Sequence, residues 1–198
     1  MNDLSLLTIV LTLFLIMDPI GNISSFLTLM EGIDPRRVKF IILREMLIAL
    51  AAMLLFAYLG KLIFTFLELS HVSIRIATGV ILFLTAIKFL FPSPSNLRAN
   101  LPSGEPFITP LAIPLIAGPS LLATIMLYSN IESCQTLMWI GILIAWMFAC
   151  MVLFLAPQLF RLLGKNGLVA CERLMAMILV MLAIQRFMEG IQLFLQKS

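Results

Sequence analysis

The sequence predicts an all-α integral membrane protein with about six transmembrane helices. Of the 198 residues, 62% are hydrophobic and only 12% are charged. Apolar runs close to the ~20 residues that a helix needs to cross a bilayer recur along the whole chain. Stretches rich in proline, glycine and asparagine separate these runs and supply turns. Since a helix satisfies its own backbone polar groups inside a bilayer, long apolar runs of this kind indicate membrane-spanning helices.

Hydropathy predicts one membrane domain over residues 1–198, with helices joined by polar turns. The six predicted spans are residues 4–30, 40–59, 72–91, 107–128, 137–155 and 172–195. The first run has no positively charged start and no small-residue cleavage site, so we expect it to stay in the protein as a true span. The longest connection is residues 92–106, and the glycine-rich stretch 164–167 is expected to form the turn before the last span.

The basic residues predict how the helices are oriented. Nine of the 13 lysine and arginine residues follow odd-numbered spans, and four lie on the other side. Because the side richer in basic residues is usually cytoplasmic, we expect residues 92–106 to form a cytoplasmic linker and both termini to be periplasmic. The formal charge of +3 is divided among several loops, which argues against a surface for nucleic acid.

The two halves of the chain read as an internal repeat of three helices each. The first repeat is residues 1–91 and the second is residues 107–198. Asp18 and Gly118, each followed by proline, interrupt the leading helix of each half at an offset of 100. Because three is an odd number, consecutive repeats enter the membrane from opposite sides. This inverted arrangement with broken first helices is one that many secondary transporters use.

The first of these breaks contains Asp18, Pro19, Gly21 and Asn22 within an otherwise apolar run. Proline removes a helical hydrogen bond and glycine lowers helix propensity, so the freed backbone groups need partners at membrane depth. A carboxylate at mid-span costs roughly 2.5 to 3.5 kcal/mol on insertion scales. A simple kink needs no carboxylate. We therefore expect Asp18 to carry a proton or to meet a cation or a substrate.

The second break contains Pro114, Gly118 and Pro119, and Ser120 and Thr124 follow it. The N-termini of half-helices attract anions, and freed carbonyl groups attract cations. The two breaks together therefore predict one substrate or ion site. Two alternatives stay open for the second break: a proline kink that only packs against its neighbours, and a Thr124 hydroxyl group that bonds back to its own helix.

Two charged pairs lie near the predicted cytoplasmic boundary, Arg44 with Glu45 and Glu172 with Arg173. Neighbouring residues on a helix point about 100° apart, so Arg44 and Glu45 are expected to find partners on other helices and not each other. Either arginine is a candidate to neutralise Asp18 or to help hold an anionic substrate. The alternative is that these charges snorkel to the interface or form boundary ion pairs.

Signatures of catalysis and of cofactor binding are absent from the sequence. There is no GxSxG, HExxH, P-loop or GxGxxG phrase. The three cysteines show no CxxC spacing and there is one histidine, so we expect no metal site and no cofactor. We expect no enzyme activity. A membrane-embedded hydrolase using Ser24, Ser25 or Ser120 is a further hypothesis, for which no base is apparent.

The two breaks resemble a known family. Residues 18–22 and 110–119 resemble the MarC family of bacterial inner-membrane proteins, and most of all its YhgN-like branch; residues 44–46 and 172–175 fit it too. The resemblance covers essentially the whole chain. It implies a six-helix protein of the bacterial cytoplasmic (inner) membrane, grouped with small LysE-like exporters, whose substrate is not established for most members. The chain departs at Ser24, where the family often has proline, which predicts a milder first break.

Together these features predict a secondary transporter, an exporter of a small polar metabolite that is coupled to a proton or a cation. Its expected partners are the lipid bilayer, the small polar solute and the coupling ion, with no nucleic acid. The competing hypothesis is a non-transporting assembly or regulatory protein of the membrane, in which both breaks are only packing kinks.

Overall fold

The computed structural model describes residues 5–30, 32–68, 70–91, 116–130 and 135–197, and these residues contain helices and turns without strands. The helices are α1 (Leu6–Met17), α2 (Ile23–Leu29), α3 (Pro35–Phe66), α4 (His71–Leu90), α5 (Pro119–Ser129), α6 (Gln135–Phe154) and α7 (Ala156–Lys197). By length and composition α3, α4, α6 and α7 are able to cross a membrane, and α1 and α5 are shorter apolar helices. The all-α prediction is confirmed. The predicted linker, residues 92–106, and Pro114 lie outside the described residues.

The apolar part of α3 covers residues 36–60, which agrees with the predicted second span to within four residues, although the helix itself is longer. α3 has 32 residues and begins at Pro35. Asp34 caps it, since one carboxylate oxygen accepts a hydrogen bond from the Arg36 N–H group at 2.9 Å, and proline fits the first helical position. Arg44 and Glu45 therefore lie roughly 14 Å along the helix, at 1.5 Å per residue, and not at its start.

The last helix also begins earlier than predicted, and the expected break before it is present at Gly164. α7 starts at Ala156 and is interrupted only by Gly164, which has φ 65° and ψ 179°. Glycine adopts this positive φ without a steric penalty, and the helix resumes at the next residue. The expected turn over residues 164–167 is thus reduced to one glycine, and Glu172 and Arg173 lie within a helix that is already established.

The antiparallel pair α4 and α7 is the most extensive helix contact among the described residues. Gly79 and Gly190 permit it. A Cβ atom on Gly79 would lie 2.8 Å from the Phe187 nitrogen and 3.0 Å from the Ala183 oxygen, and one on Gly190 would lie 3.1 Å from the Ile76 nitrogen. Small residues allow membrane helices to approach backbone to backbone in this way.

The helices α1, α3, α5 and α6 also pack against one another in pairs. α1 packs on α6, α5 packs on α3, and α3 also packs on α6. The Trp146 indole N–H group donates a hydrogen bond to the Met46 carbonyl oxygen at 2.8 Å, joining α6 to α3. Many leucine, phenylalanine and methionine side chains lie on the outer surface. This surface is suited to lipid.

The substitution Gly79→Ala is expected to destabilise the α4–α7 pair, because the new Cβ atom meets backbone atoms that have no rotamer to move to. Overpacking of this kind typically costs about 1–3 kcal/mol. Chemical unfolding in detergent, followed by tryptophan fluorescence, should show a loss of that size. Val80→Ala is the control, since Val80 is 43% exposed on the same helix. Equal stability of the two variants would contradict the close approach at Gly79.

Candidate functional site

The first break is a complete interruption of the helix between α1 and α2. Asp18 has φ 44° and ψ 55°, the left-handed conformation, in which aspartate is more frequent than most residues. Pro19 follows it, and the helix resumes only at Ile23. The break is thus complete in this chain, and the prediction that it is milder than in relatives with proline at position 24 stays a prediction. A left-handed residue followed by a proline ends a helix without the help of a second proline.

The turn holds a buried carboxyl group. The Asp18 side chain is 2% exposed, and its Oδ1 atom accepts a hydrogen bond from the Gly21 N–H group at 3.0 Å. Its Oδ2 atom is buried and has no hydrogen-bond partner among the described residues. Asn22 is equally buried, and its amide group donates a hydrogen bond to the Met17 carbonyl oxygen at 3.1 Å. One Asp18 oxygen thus restrains the turn, while the other is a buried polar atom of the kind that is usually hydrogen-bonded.

Gly21 leaves the space that this carboxyl group occupies. A Cβ atom at position 21 would lie 2.8 Å from both Cγ and Oδ1 of Asp18. Any larger residue must therefore displace the carboxyl group from its hydrogen bond. This close approach explains the glycine at this point of the turn, since φ at position 21 is not positive.

A double-mutant cycle tests the contact between Gly21 and Asp18. Gly21→Ala is expected to cost about 1–3 kcal/mol of unfolding free energy, the usual cost of overpacking. Made in an Asp18→Ala background, the same substitution should cost at least about 1 kcal/mol less, because the group it displaces is gone. Chemical unfolding of the four proteins in detergent measures this difference. Simple additivity of the two changes would show that position 21 does not restrain the carboxyl group.

A second carboxylate reaches the first break from α7. Glu172 lies near the Ser24 hydroxyl group, in the first turn of α2, and beside the positive charge of Arg173. It lies close enough to Asp18 for the two negative charges to repel each other. The first break thus brings polar groups of α1, α2 and α7 into the same part of the protein.

The second break supplies the start of a helix. Gly118 is extended, with φ −71° and ψ 161°, and Pro119 takes the first helical position of α5. Ser120 and Thr124 are buried, and the Thr124 hydroxyl group donates a hydrogen bond to the Ser120 carbonyl oxygen at 2.8 Å. The back-bonding alternative for Thr124 is therefore confirmed. α1, which ends at the first break, packs against α5, which begins at the second.

Arg44 and Glu45 bond to each other, so the prediction that they avoid each other is wrong. The Arg44 Nε and Nη2 atoms lie 2.9 and 2.8 Å from the Glu45 Oε1 atom. The Glu45 side chain is fully buried, whereas that of Arg44 is 25% exposed. Long side chains bend, so the angle between neighbouring residues does not keep their ends apart, and a buried carboxylate strongly favours any cation in reach. Glu45 is thus a second deeply buried carboxylate, besides Asp18.

A further ion network, which was not predicted from the sequence, ties α4, α5 and α7 together. The Glu189 Oε2 atom lies 2.6 Å from an Arg75 nitrogen and 3.3 Å from an Arg186 nitrogen. Arg186 also donates a hydrogen bond to the hydroxyl group of Tyr128, which is buried in α5. The spacing of three between Arg186 and Glu189 on α7 is a signal that the sequence does contain, whereas no spacing brings Arg75 of α4 or Tyr128 of α5 to them.

Comparison with known proteins finds relatives over nearly the whole chain. The family model described as MarC family integral membrane protein matches residues 4–195. The UPF0056 inner membrane protein YhgN of Escherichia coli K12 is 46% identical over 186 residues, which are 93% of this chain and 94% of that protein. A UPF0056 membrane protein of Buchnera aphidicola (subsp. Schizaphis graminum) is 45% identical over 193 residues, 97% of each chain. No solved structure matches the chain.

Proposed function

Because the chain belongs to the MarC family of integral membrane proteins, we propose that it is a secondary transporter that exports a small polar metabolite across the bacterial cytoplasmic membrane. One observation carries the proposal: Asp18 is 2% exposed in an unwound segment, and its Oδ2 atom has no hydrogen-bond partner among the described residues. Unwound backbone persists at membrane depth where protein buries it or where it lines a cavity. An ionisable residue at that depth marks a route for an ion or a substrate.

Coupling in this proposal depends on the charge of the first break. A proton or a cation bound between Asp18 and Glu172 removes the repulsion between the two carboxylates, and the Ser24 hydroxyl group lies near Glu172. The Asp18 and Asn22 side chains and the start of α5 at Gly118 then provide polar groups for the solute. The protein acts without a cofactor and without chemical conversion of the solute.

The packing of the helices supports two inverted repeats, residues 1–91 and 107–198. If the two repeats are equivalent, α1 corresponds to α5 and α3 corresponds to α6. The contact between α1 and α6 then has a counterpart in the contact between α5 and α3, and both contacts are present. Met46 and Trp146, which bond to each other, are separated by the same 100 residues as the two breaks. Residues that meet near a two-fold axis are expected to be each other's equivalents. Rocking of one repeat against the other then exposes the breaks to one side at a time.

The arrangement of the charges supports the alternation of sides from which the orientation with both termini periplasmic is predicted. Arg75 and Arg186, both assigned to the outer side, meet in one ion network at Glu189. Lys39 and Arg161, both assigned to the cytoplasmic side, line one cavity. Residues placed on the same side by alternation thus lie together in the folded chain.

Proteoliposomes that contain the purified protein and a pH-sensitive dye test the proposal. Metabolite pools of cells with and without the gene first provide candidate solutes. We expect one of them to drive proton movement through vesicles with the protein and not through protein-free vesicles. The non-transporting alternative predicts no flux for any candidate, and a hydrolase predicts turnover of a lipid or peptide without a gradient. Either result would reject the transporter.

A further inference from the structure

A cavity of about 410 Å³ lies between α2, the start of α3 and the corner where α6 meets α7. Most of its lining is apolar, including Phe26, Met30, Ile42 and Phe154. The polar residues that line it are Lys39, Gln158 and Arg161, and no acidic residue is among the described residues that do so. The cavity therefore combines apolar walls with two cations from different helices.

Both cations lie near helix ends and remain in contact with solvent. Lys39 is exposed in the first turns of α3, and Arg161 is exposed in the segment of α7 that precedes Gly164. Asp34, an acidic residue just before α3, is not among the residues that line the cavity; it caps α3 by accepting a hydrogen bond from the Arg36 N–H group. The charged side chains among the described lining residues are thus two cations, and the rest of that lining is mostly apolar.

We propose that this cavity binds an anionic phospholipid. The phosphate group lies between Lys39 and Arg161, Gln158 donates a hydrogen bond to it, and part of an acyl chain covers the apolar wall. Basic pockets between membrane helices on the cytoplasmic side are suited to anionic headgroups, and guanidinium groups bind phosphate strongly. A free phosphate ion would leave the apolar wall unfilled, and a neutral lipid would leave both cations without a counter-charge. The inference does not depend on transport.

The test compares lipids and variants in purified protein. Thermal unfolding is followed in detergent micelles supplemented with phosphatidylglycerol or with phosphatidylcholine. Phosphatidylglycerol should raise the unfolding temperature of the wild type, and the double variant Lys39→Gln/Arg161→Gln should lose most of that rise. The matched control is Lys88→Gln/Lys165→Gln, which removes two exposed cations of the same predicted side that do not line the cavity. This control should keep the response, and phosphatidylcholine should have little effect on any of the proteins.

Two further arms keep the result decisive. The charge-preserving variant Lys39→Arg/Arg161→Lys should retain the response to phosphatidylglycerol. If it does, the loss in Lys39→Gln/Arg161→Gln comes from the missing charges and not from a general intolerance of substitution at these two positions. Inorganic phosphate alone should reproduce little of the effect. An equal response in both double variants would assign the effect to diffuse surface charge, and a full response to inorganic phosphate would indicate a vestibule for small anions. Either outcome would overturn the lipid site.

Discussion

The variant Asp18→Asn is expected to reduce solute-driven proton movement in proteoliposomes to the level of protein-free vesicles while the protein still folds. Asparagine matches aspartate in size, and its Oδ1 atom can still accept the hydrogen bond from the Gly21 N–H group, 3.0 Å long in the wild type. The turn between α1 and α2 therefore keeps its restraint. The amide group, however, neither gains nor loses a proton at the pH of the assay, and it brings no charge to attract a cation. The coupling step is lost, and the scaffold is retained.

The same substitution elsewhere in the chain supplies the control for Asp18→Asn. Asp34 is exposed and caps α3, and asparagine is about as good an N-cap as aspartate. Asp34→Asn should therefore transport like the wild type. Full transport by a folded Asp18→Asn protein would remove the central role of that residue. Loss of transport by both variants would point to a general sensitivity to charge.

The position of the first break could be predicted from the sequence because its cause is local. Proline lacks an N–H group, and aspartate tolerates the left-handed conformation, so residues 18–22 interrupt the helix whatever surrounds them. The depth of Glu45 could not be predicted from hydropathy. Asp34 and Pro35 extend α3 beyond its apolar run, and a hydropathy average weighs polarity and ignores caps.

The contacts between helices could not be predicted from the sequence, for a different reason. Ser24 meets Glu172, and Arg75 meets Glu189, across helices that are far apart in the chain. Periodicity assigns a residue to a face of its own helix, but the rotation and crossing of helices decide which face it meets. The sequence predicts that Asp18 is costly to bury in a membrane, but it does not predict that Glu172 lies near it.

Arg44→Gln is expected to cause the largest loss of stability, because it leaves the carboxylate of Glu45 inside the protein without its bonded cation. The Glu45 side chain is fully buried, and its Oε1 atom bonds to two nitrogens of Arg44. Removing one partner of a buried ion pair typically costs about 3–5 kcal/mol. Chemical unfolding in detergent, with Lys165→Gln as an exposed control, should show a loss in that range.

Removing the charge of Glu45 as well tests the cause of that loss. In Arg44→Gln/Glu45→Gln the buried group is neutral, so most of the stability should return, as it does when a buried ion pair is replaced as a unit. Glu45→Gln alone should have a milder effect, because the Arg44 side chain is 25% exposed and is able to turn toward the interface. A double variant as unstable as Arg44→Gln would mean that Arg44 stabilises α3 through packing and not through the charge of Glu45.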